Sequence, residues 1–519
     1  MKHDLQTLPD NTVELKGIIA SLGEMLSRLE EENRLLRQAL FAPKSEKQPA
    51  VPSSQLCLFD MPENPPAEND EDAREIVIPE HTRRKKGRKE LPDELPRIEI
   101  VHDLAEEEKV CACGCRLSRI GEDVSEKLDI VPAKVRVIRH IRPKYACKNC
   151  EGVEDEGGAV KIAPPPAQII PKGLATAGLL AYVLTAKFCD ALPFYRQEKQ
   201  FIRLGIDIGR QTMCNWAMKA AEACQPVLDL LHDDIRVGPL INADETTVQV
   251  LDEPGRSPTQ KSYMWVFRGG APEKPVVIYQ YHQTRSGDVA KLFLEGYQGI
   301  VQTDGYKAYD FLDTRFDIVH VGCWAHARRK FVDAKKAGSK NKTGSADKAL
   351  GMIQRLYALE KVARHQELDP VAIHEMRQSQ AKPILAQFKK WLDKRKDQVP
   401  PKSLLGVAVN YCLGQWRRLA NYINDGHAGI DNNVVENAIR PFALGRKNWL
   451  FSGTPEGARA SALLFSLIET AKANKLEPYS YLRYLFEKLP VTPPAEIGQL
   501  LPNRLKSADL VLPEVPSGV

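Results

Sequence analysis

Three acidic residues, far apart in the sequence, are the residues best suited to chemistry. Asp244 and Asp304 each adjoin a β-rich run, and Glu436 stands in a stretch with helical periodicity. Phosphodiester chemistry with two divalent ions needs carboxylates from separate elements that hold the ions roughly 3.5 to 4 Å apart. A single Asp beside a strand is more often a cap or turn residue. Three acids in this order and setting instead indicate a two-metal site for phosphoryl transfer.

The segment around Glu436 also brings cations to this acid. Arg440 follows Glu436 by four residues, a spacing that puts both side chains on one helix face. Arg446 and Lys447 come after a glycine. Because guanidinium and ammonium groups bind phosphate oxygens, we predict that these three cations contact DNA. The alternative is a solvated amphipathic helix with a fortuitous ion pair, which contributes little.

Length, charge and composition limit the class of protein. The 519 residues suffice for two to four domains, and 43% apolar residues can fill hydrophobic cores, which excludes a wholly disordered chain. A net charge of +5 favours a polyanionic partner only weakly. The sequence has neither an apolar run of membrane length nor a signal-peptide pattern, so we expect a cytoplasmic, nucleoid-associated protein with no membrane partner. Eleven cysteines, mostly scattered, indicate reduced thiols and one metal cluster.

Residues 1–45 contain a heptad repeat. Leucines recur every seven residues from position 15 to position 36, and Asn33 occupies the paired position of the repeat. A buried Asn satisfies its hydrogen bonds best against its own copy, so the pattern predicts a parallel two-stranded coiled coil and a homodimer or larger assembly. The alternative is an amphipathic helix that packs on its own domain.

Residues 46–92 are predicted to be a disordered linker, because Pro, Glu, Asp and Asn dominate and little periodicity is present. The linker ends in a basic run that we predict to bind phosphate backbone without reading sequence. The alternative is a solubilising tail. The basic residues are Arg83, Arg84, Lys85, Lys86, Arg88 and Lys89.

Residues 93–160 are predicted to bind a structural zinc ion. Cys147 and Cys150 have the two-residue gap of a zinc knuckle, and a strand-like stretch separates them from an earlier group. That group alternates as Cys111, Cys113 and Cys115, so any two could complete the tetrahedron, and Cys111 and Cys113 are taken as the pair. Four thiolates leave no open position, which argues against a catalytic zinc.

Residues 165–232 have the pattern of a helix-turn-helix, with Gly205 at the turn. Apolar residues predicted to pack the two helices together are Ile202, Leu204, Ile208, Met213, Trp216 and Ala217. The second helix would present four polar residues to a DNA groove, namely Arg210, Gln211, Asn215 and Lys219. Helix pairs with a glycine turn are common, so this pattern alone has little specificity for DNA.

Residues 233–465 change from helical to strand-like sequence. Three β-rich runs separated by turn-like sequence predict a meander. A helix-like stretch follows, and then two apolar runs that end in polar residues, as buried parallel strands do. This is the order of a ribonuclease-H-like fold, a mixed sheet flanked by helices, with Asp244 on the first strand and Asp304 at the end of the fourth. Glu245 would point away from Asp244, because successive strand residues face opposite sides.

The stretch between Asp304 and Glu436 is longer than such a sheet requires, and its periodicity predicts a helical insertion at about 335–425. A helix and tail occupy 466–519. Cys323 and His326 form a C-x-x-H pair after the fifth strand. Two further zinc ligands are not evident in the sequence, so a structural role or a substrate contact is favoured. His326 and Arg328 are then predicted to contact DNA.

Several of these motifs resemble those of the IS66 family of bacterial insertion-sequence transposases. They are INADET, VQTDGYKAY, GCWAHARRKF and DNNVVENAIRPFALGRKNWLFSGT. The likeness extends to the leucine zipper, GRKELP, the cysteine knuckles and the ending SLIETAKANKLEPYSYL, so it covers nearly the whole chain. It is most specific around Glu436. The alternating first cysteine group departs from the usual two-residue gap, which leaves the ligand assignment open.

The resemblance implies a DDE catalytic triad, which falls on Asp244, Asp304 and Glu436. It also implies terminal inverted repeats as the DNA substrate and small accessory proteins from the same element. With two Mg²⁺ ions, or Mn²⁺ in their place, such a transposase cuts 3′ ends and joins them to target DNA. One alternative is a non-catalytic DNA-binding regulator derived from a transposase, which the intact acids disfavour. Another is a nuclease without strand transfer, which the zipper disfavours, since joining two ends calls for a paired assembly.

Overall fold

The computed structural model describes residues 135–146, 160–337 and 344–510, together with separate positions between 11 and 33. The basic run and the predicted zinc ligands lie outside the described residues, and so does the heptad repeat beyond Asn33. By internal contacts the chain divides into two units, residues 45–138 and the rest. The described part of the first unit, 135–138, has neither helix nor strand.

The described positions from 12 to 33 are helical. Ile19, Leu22, Leu26 and Leu29 are exposed there. An exposed apolar stripe at heptad spacing is the surface that a second helix would cover in a coiled coil. The helix is compatible with the predicted coiled coil, which stays a prediction.

In the described residues 144–146 and 160–234, a small antiparallel ribbon and four helices come before the main sheet. The ribbon pairs β1 (Lys144–Ala146) with β2 (Val160–Ile162). The helices are α1 (Ala177–Phe188), α2 (Phe194–Arg203), α3 (Arg210–Ala223) and α4 (Gln225–Asp234).

Helices α2 and α3 form the predicted helix, turn and helix. Gly205 lies in the turn at φ 78°, a left-handed conformation that favours glycine. On α2, the buried side chains are Phe194, Gln197 and Phe201. Ile202 and Leu204 are 57% and 53% exposed, so the prediction that they pack the helix pair is wrong. The three buried residues of α2 are at positions i, i+3 and i+7 and form one face of the helix. Ile202 comes one position after the last of them and therefore lies outside that face, and Leu204 comes after the helix has ended.

Five strands form one mixed sheet in the order β5-β4-β3-β6-β7. Strands β3, β4 and β5 pair antiparallel, whereas β6 pairs parallel with both β3 and β7. The predicted meander followed by two parallel strands is therefore confirmed. The strands are β3 (Leu240–Gln249), β4 (Lys261–Ala271), β5 (Lys274–His282), β6 (Gly299–Gln302) and β7 (Ile318–Val321). Helix α5 (Gly287–Phe293) precedes β6, and a 3₁₀ segment, Lys307–Thr314, precedes β7.

Helices make up most of the remaining described chain. They are α6 (Trp324–Ala337), α7 (Ser345–His365), α8 (Pro370–Met376), α9 (Lys382–Lys396), α10 (Leu404–Gly414), α11 (Trp416–Asn421), α12 (Asn433–Trp449), α13 (Pro455–Ala473) and α14 (Pro478–Lys488). A π-helical turn, Arg377–Ala381, joins α8 to α9. Helices α7 to α11 occupy the predicted insertion. In the described part of the chain, no helix has the length and apolarity to cross a membrane.

The sheet contacts two hydrophobic cores: the larger covers both faces of β4 and β5, and the smaller covers one face at β6 and β7. Ile300 and Val301 are neighbours in β6 but belong to different cores, because successive strand residues face opposite sides. The larger core contains side chains of the sheet and of six helices, namely α1, α2, α3, α4, α13 and α14. The smaller core centres on Trp324, Phe331 and Phe388 and joins α6 to the insertion helices. The two helices of the predicted DNA-binding module therefore share a core with the sheet.

Helix α13 protects the outer edge of the sheet. Thr470 Oγ1 accepts a hydrogen bond from Val277 N at 3.0 Å and donates to Val277 O at 3.1 Å. Ser466 Oγ accepts from Tyr279 N at 2.8 Å. Open strand edges present unpaired backbone groups, and here buried side-chain hydroxyls satisfy them.

Replacing Thr470 with Val should therefore destabilise the protein, although the two side chains have the same shape. The substitution leaves the buried N–H and C=O of Val277 without partners, so we expect the free energy of unfolding to fall by about 2 kcal/mol. Urea denaturation measures this change. Thr314→Val, at an exposed threonine, is the control and should change stability by less than about 0.5 kcal/mol. Equal effects of both variants would contradict this role of Thr470.

Candidate active site

The two aspartates lie at equivalent levels of the two central strands. The parallel pairing of β3 with β6 ends at Asn242 opposite Gln302. Asp244 and Asp304 each lie two residues beyond that pair. Strand β3 continues past Asp244 because β4 still pairs with it there, whereas β6 ends before Asp304. Adjacent parallel strands thus bring both acids to the carboxyl end of the sheet.

Glu436 reaches the same end from the first turn of α12. The residue before this helix, Asn432, is 1% exposed. Its side chain does not cap its own helix. It donates instead to Ala243 O at 3.0 Å and accepts from Asn242 Nδ2 at 2.9 Å. This fastens the start of α12 to β3, directly before Asp244.

A third buried amide completes the connection. Asn242 Nδ2 also donates to Gln302 Oε1 at 3.1 Å. Gln302 Nε2 in turn donates to Gly429 O at 2.7 Å and to Gly322 O at 3.3 Å. We call Asn242, Gln302 and Asn432 the amide network. It links β3, β6, the start of α6 and the loop before α12, so it fixes the elements that carry all three acids.

The electrostatics of Asp244 show that the acids come together. Burial raises the pKa of Asp244 to about 8, and the negative charge of Glu245 adds to the rise. The carboxylates of Asp304 and Glu436 act in the same direction. Such coupling requires that these groups lie close to Asp244, because Coulomb interactions weaken with distance.

The hydrogen bonds of the aspartates suit a cation. Asp244 Oδ1 accepts from the backbone N–H of Glu245 at 2.9 Å, and Asp304 Oδ1 accepts from that of Tyr306 at 2.8 Å. Among the described residues, these are the hydrogen bonds that their side-chain oxygens make. Asp244 and Asp304 are half-buried, and carboxylates with free oxygens are the hard ligands that Mg²⁺ and Mn²⁺ prefer. The donor set therefore fits divalent ions.

The carboxylate of Glu245, next to Asp244 in the sequence, has its own partners. It forms an ion pair with Arg285 and accepts a hydrogen bond from Tyr309 Oη at 2.6 Å. The Arg285 guanidinium lies 3.6 Å from the centre of the Tyr306 ring. Arg285 also interacts electrostatically with Asp304, so it brings a positive charge to the candidate site. The sequence contains no pattern that identifies Arg285, which stands alone in the loop after β5.

The cations near Glu436 have different surroundings. Arg440 and Lys447 are exposed on α12, and Arg328 is exposed on α6. Arg446 donates to the backbone carbonyl of Thr247, and to its hydroxyl at 3.0 Å. Arg446 therefore holds α12 against β3 instead of standing free in solvent.

The predicted groove-facing residues lie along the solvent side of α3. Arg210, Gln211, Asn215 and Lys219 are all exposed. Gln211, Asn215 and Lys219 are four residues apart, so they form one row on the helix. Met213 and Trp216 on the opposite side are buried. The helix thus separates a packing face from a polar face that is free to meet a partner.

Cys323 and His326 meet Glu436 at the start of α6. His326 Nδ1 lies 3.7 Å from Glu436 Oε1. Cys323 Sγ accepts a hydrogen bond from Asn432 N at 3.3 Å. Burial raises the pKa of the Cys323 thiol to about 12, so the free thiol is protonated and unreactive at neutral pH.

Protein-family models match most of the chain. A family model described as "Transposase IS66 family" matches residues 172–460, which include the three acids. The chain belongs to the IS66 transposase family. Further models match residues 466–503 ("IS66 C-terminal element") and 28–100 ("Transposase C of IS166 homeodomain"). A model described as "zinc-finger binding domain of transposase IS66" matches residues 108–151 and supports a structural zinc ion there.

Relatives of this IS66 transposase occur in Sinorhizobium fredii (strain NBRC 101917 / NGR234). The chain is 34% identical to "Uncharacterized protein y4jD" over 93% of its own length and 94% of that protein. It is 33% identical to "Uncharacterized protein y4qI" over 95% of its own length and 91% of that protein. The similarity therefore extends over nearly the full length of these chains.

The raised pKa of Asp244 predicts how stability depends on pH. The ordinary pKa of Asp is near 3.8, and that of Asp244 in the folded chain is about 8. The folded state therefore holds this proton more tightly than the unfolded state, and the stabilisation is lost as pH rises from about 4 towards 8. In magnesium-free buffer, Asp244→Asn should remove this loss and unfold with a free energy about 2 kcal/mol higher than wild type at about pH 8.

Urea denaturation of both proteins across the pH range measures this effect. Asp252→Asn, at an exposed aspartate, is the matched control and should follow the wild-type curve. If Asp244→Asn also followed the wild-type curve, Asp244 would not be a buried acid under repulsion from its neighbours.

Proposed function

We propose that this IS66 transposase is a DDE enzyme that binds the terminal inverted repeats of an insertion sequence, cuts their 3′ ends and joins them to target DNA. The observation that carries the proposal is the electrostatic coupling of Asp244 to both Asp304 and Glu436. Three acids from two strands and a helix converge at one sheet end, which is the arrangement that two-metal phosphoryl transfer requires.

The strand order supports a ribonuclease-H-like core. Numbered from the first strand of the sheet, the order is 3-2-1-4-5, with the first three strands antiparallel and the last two parallel to the first. In this core, Asp244 lies on strand one and Asp304 follows strand four. The helical insertion then separates the second acid from Glu436.

Asp244, Asp304 and Glu436 would hold two Mg²⁺ ions, for which Mn²⁺ can substitute. Bound there, the ions would lower the pKa of the attacking hydroxyl and stabilise the leaving oxygen. Asp244 must lose its proton to act as a ligand, and this couples metal affinity to pH. Arg285, next to Asp304, would contact a phosphate oxygen of the bound DNA.

The reaction consists of two phosphoryl transfers. In the first, water attacks the phosphodiester at the element end, and the bond to the 3′ oxygen breaks to leave a free 3′-OH. In the second, that 3′-OH attacks a phosphodiester of the target, which releases a 3′ oxygen of the target strand. Each step forms one P–O bond and breaks one, so neither nucleotide hydrolysis nor a covalent enzyme intermediate is needed.

Other parts of the chain would position the DNA. The exposed polar row of α3 would enter a groove of the terminal repeat, and Arg440, Lys447 and Arg328 would contact phosphates near the cut. The N-terminal heptads would pair two chains and so bring two element ends together. The zinc finger and the basic run would add backbone contacts.

The test is metal-dependent nicking of labelled DNA that carries the ends of the host element. With Mg²⁺ or Mn²⁺, the wild-type chain should cut at the element ends. Asp304→Asn and Glu436→Gln should each lower the rate by at least about 100-fold while DNA binding in a gel-shift assay is retained. Asp252→Asn, which changes an exposed acid, should leave the rate unchanged.

Each other outcome has a definite meaning. Wild-type cleavage by Asp304→Asn or Glu436→Gln would refute the triad. Binding without cleavage by every protein, even after the small proteins of the same element are added, would favour a DNA-binding regulator over an enzyme.

A further inference from the structure

A second group of metal-binding side chains lies beside the acids. Ligand atoms of Cys323, His326 and Glu436 all lie within 4.8 Å of one another. Cys323 directly precedes α6, His326 lies in the first turn of α6, and Glu436 lies in the first turn of α12. Sulfur, imidazole nitrogen and carboxylate oxygen from two elements thus converge on one point.

Two atoms of this group lack partners in the part of the chain that the structure describes. His326 Nδ1 and Glu436 Oε1 are both buried and make no hydrogen bond there. Their separation of 3.7 Å is too long for a hydrogen bond but close to the distance between two ligands of one tetrahedral ion. Buried polar atoms without partners are costly, and a shared cation would satisfy both.

The sulfur is oriented in the way that metal-bound thiolates are. The backbone N–H groups of Asn432 and His326 both interact with Cys323 Sγ, the first at 3.3 Å. Outer hydrogen bonds of this kind fix the orientation of a metal ligand. The amide network therefore supports this group as well, because Asn432 belongs to both.

We propose that Cys323, His326 and Glu436 form a zinc site, separate from the zinc finger at 108–151. Thiolate and imidazole select Zn²⁺ over Mg²⁺, which prefers oxygen ligands alone. Binding displaces the thiol proton, as it does for any cysteine ligand. Three protein ligands leave a fourth position for water or a phosphate oxygen.

The site would fasten Glu436 to α6 through one carboxylate oxygen and leave the other oxygen for the acids of the sheet. It gives the C-x-x-H pair the third ligand that the sequence does not reveal, because Glu436 is more than a hundred residues away. Zinc binding stands on the local geometry alone, whereas any effect on DNA cleavage rests on the proposed role of Glu436.

The test is the zinc content of the purified full-length chain, loaded with zinc, dialysed and measured by elemental analysis. Wild type should hold about two zinc ions per chain, one of them in the zinc finger. Cys323→Ser and, as a second and less buried change, His326→Gln should each hold one zinc ion fewer. Cys412→Ser, which alters another buried cysteine, is the matched control and should keep the wild-type content.

Two further variants separate this proposal from the others. Cys147→Ser should remove the zinc of the finger, and combination with Cys323→Ser should remove the rest. Asp304→Asn should keep the full zinc content even though it loses cleavage, so failure of the triad and failure of the zinc site are distinguishable. Equal zinc content in wild type, Cys323→Ser and His326→Gln would overturn the proposal and leave His326 and Glu436 as neighbours without a shared ion.

Discussion

The buried amides of Asn242, Gln302 and Asn432 hold together the elements that carry the acidic residues. Each amide is at most 4% exposed, so its donors and acceptors must find partners inside the protein. They do so only when β3, β6 and the start of α12 are in register. A slip of any element would leave buried polar groups without partners, which costs more than the hydrogen bonds themselves contribute. The position of the carboxylates therefore follows from this network.

The helical insertion takes part in the same constraint. Arg377, 2% exposed, binds both carboxylate oxygens of Glu360 in α7. It also donates to three backbone carbonyls, those of Tyr422, Asp425 and Ala428. These carbonyls lie before Gly429, the residue whose carbonyl accepts from Gln302. The insertion thus shapes the loop that leads into α12. Buried Arg377 directs three of its five hydrogen bonds at that segment and the other two at Glu360, which keeps the segment in one conformation.

Much of this architecture could be predicted from the sequence. Apolar alternation and strand-like runs give the order of the five strands, and acids that adjoin two such runs identify Asp244 and Asp304, since both patterns are local. Asn242, Gln302 and Asn432 have no local pattern, because their importance arises from hydrogen bonds across as many as 190 residues. Arg446 shows a different limit of the sequence: its basic stretch predicts a DNA contact, but no local pattern indicates its hydrogen bonds to Thr247 in β3. The α2 helix was predicted with the wrong buried residues because a shift of one position changes which face meets the core.

The central claim is that Asp244, Asp304 and Glu436 form one site for divalent ions. The most direct measurement is the anomalous diffraction of Mn²⁺ in crystals of the protein bound to element-end DNA. The account predicts manganese peaks within coordination distance of oxygens from all three carboxylates. Manganese bound elsewhere, with these three side chains free of metal, would contradict it.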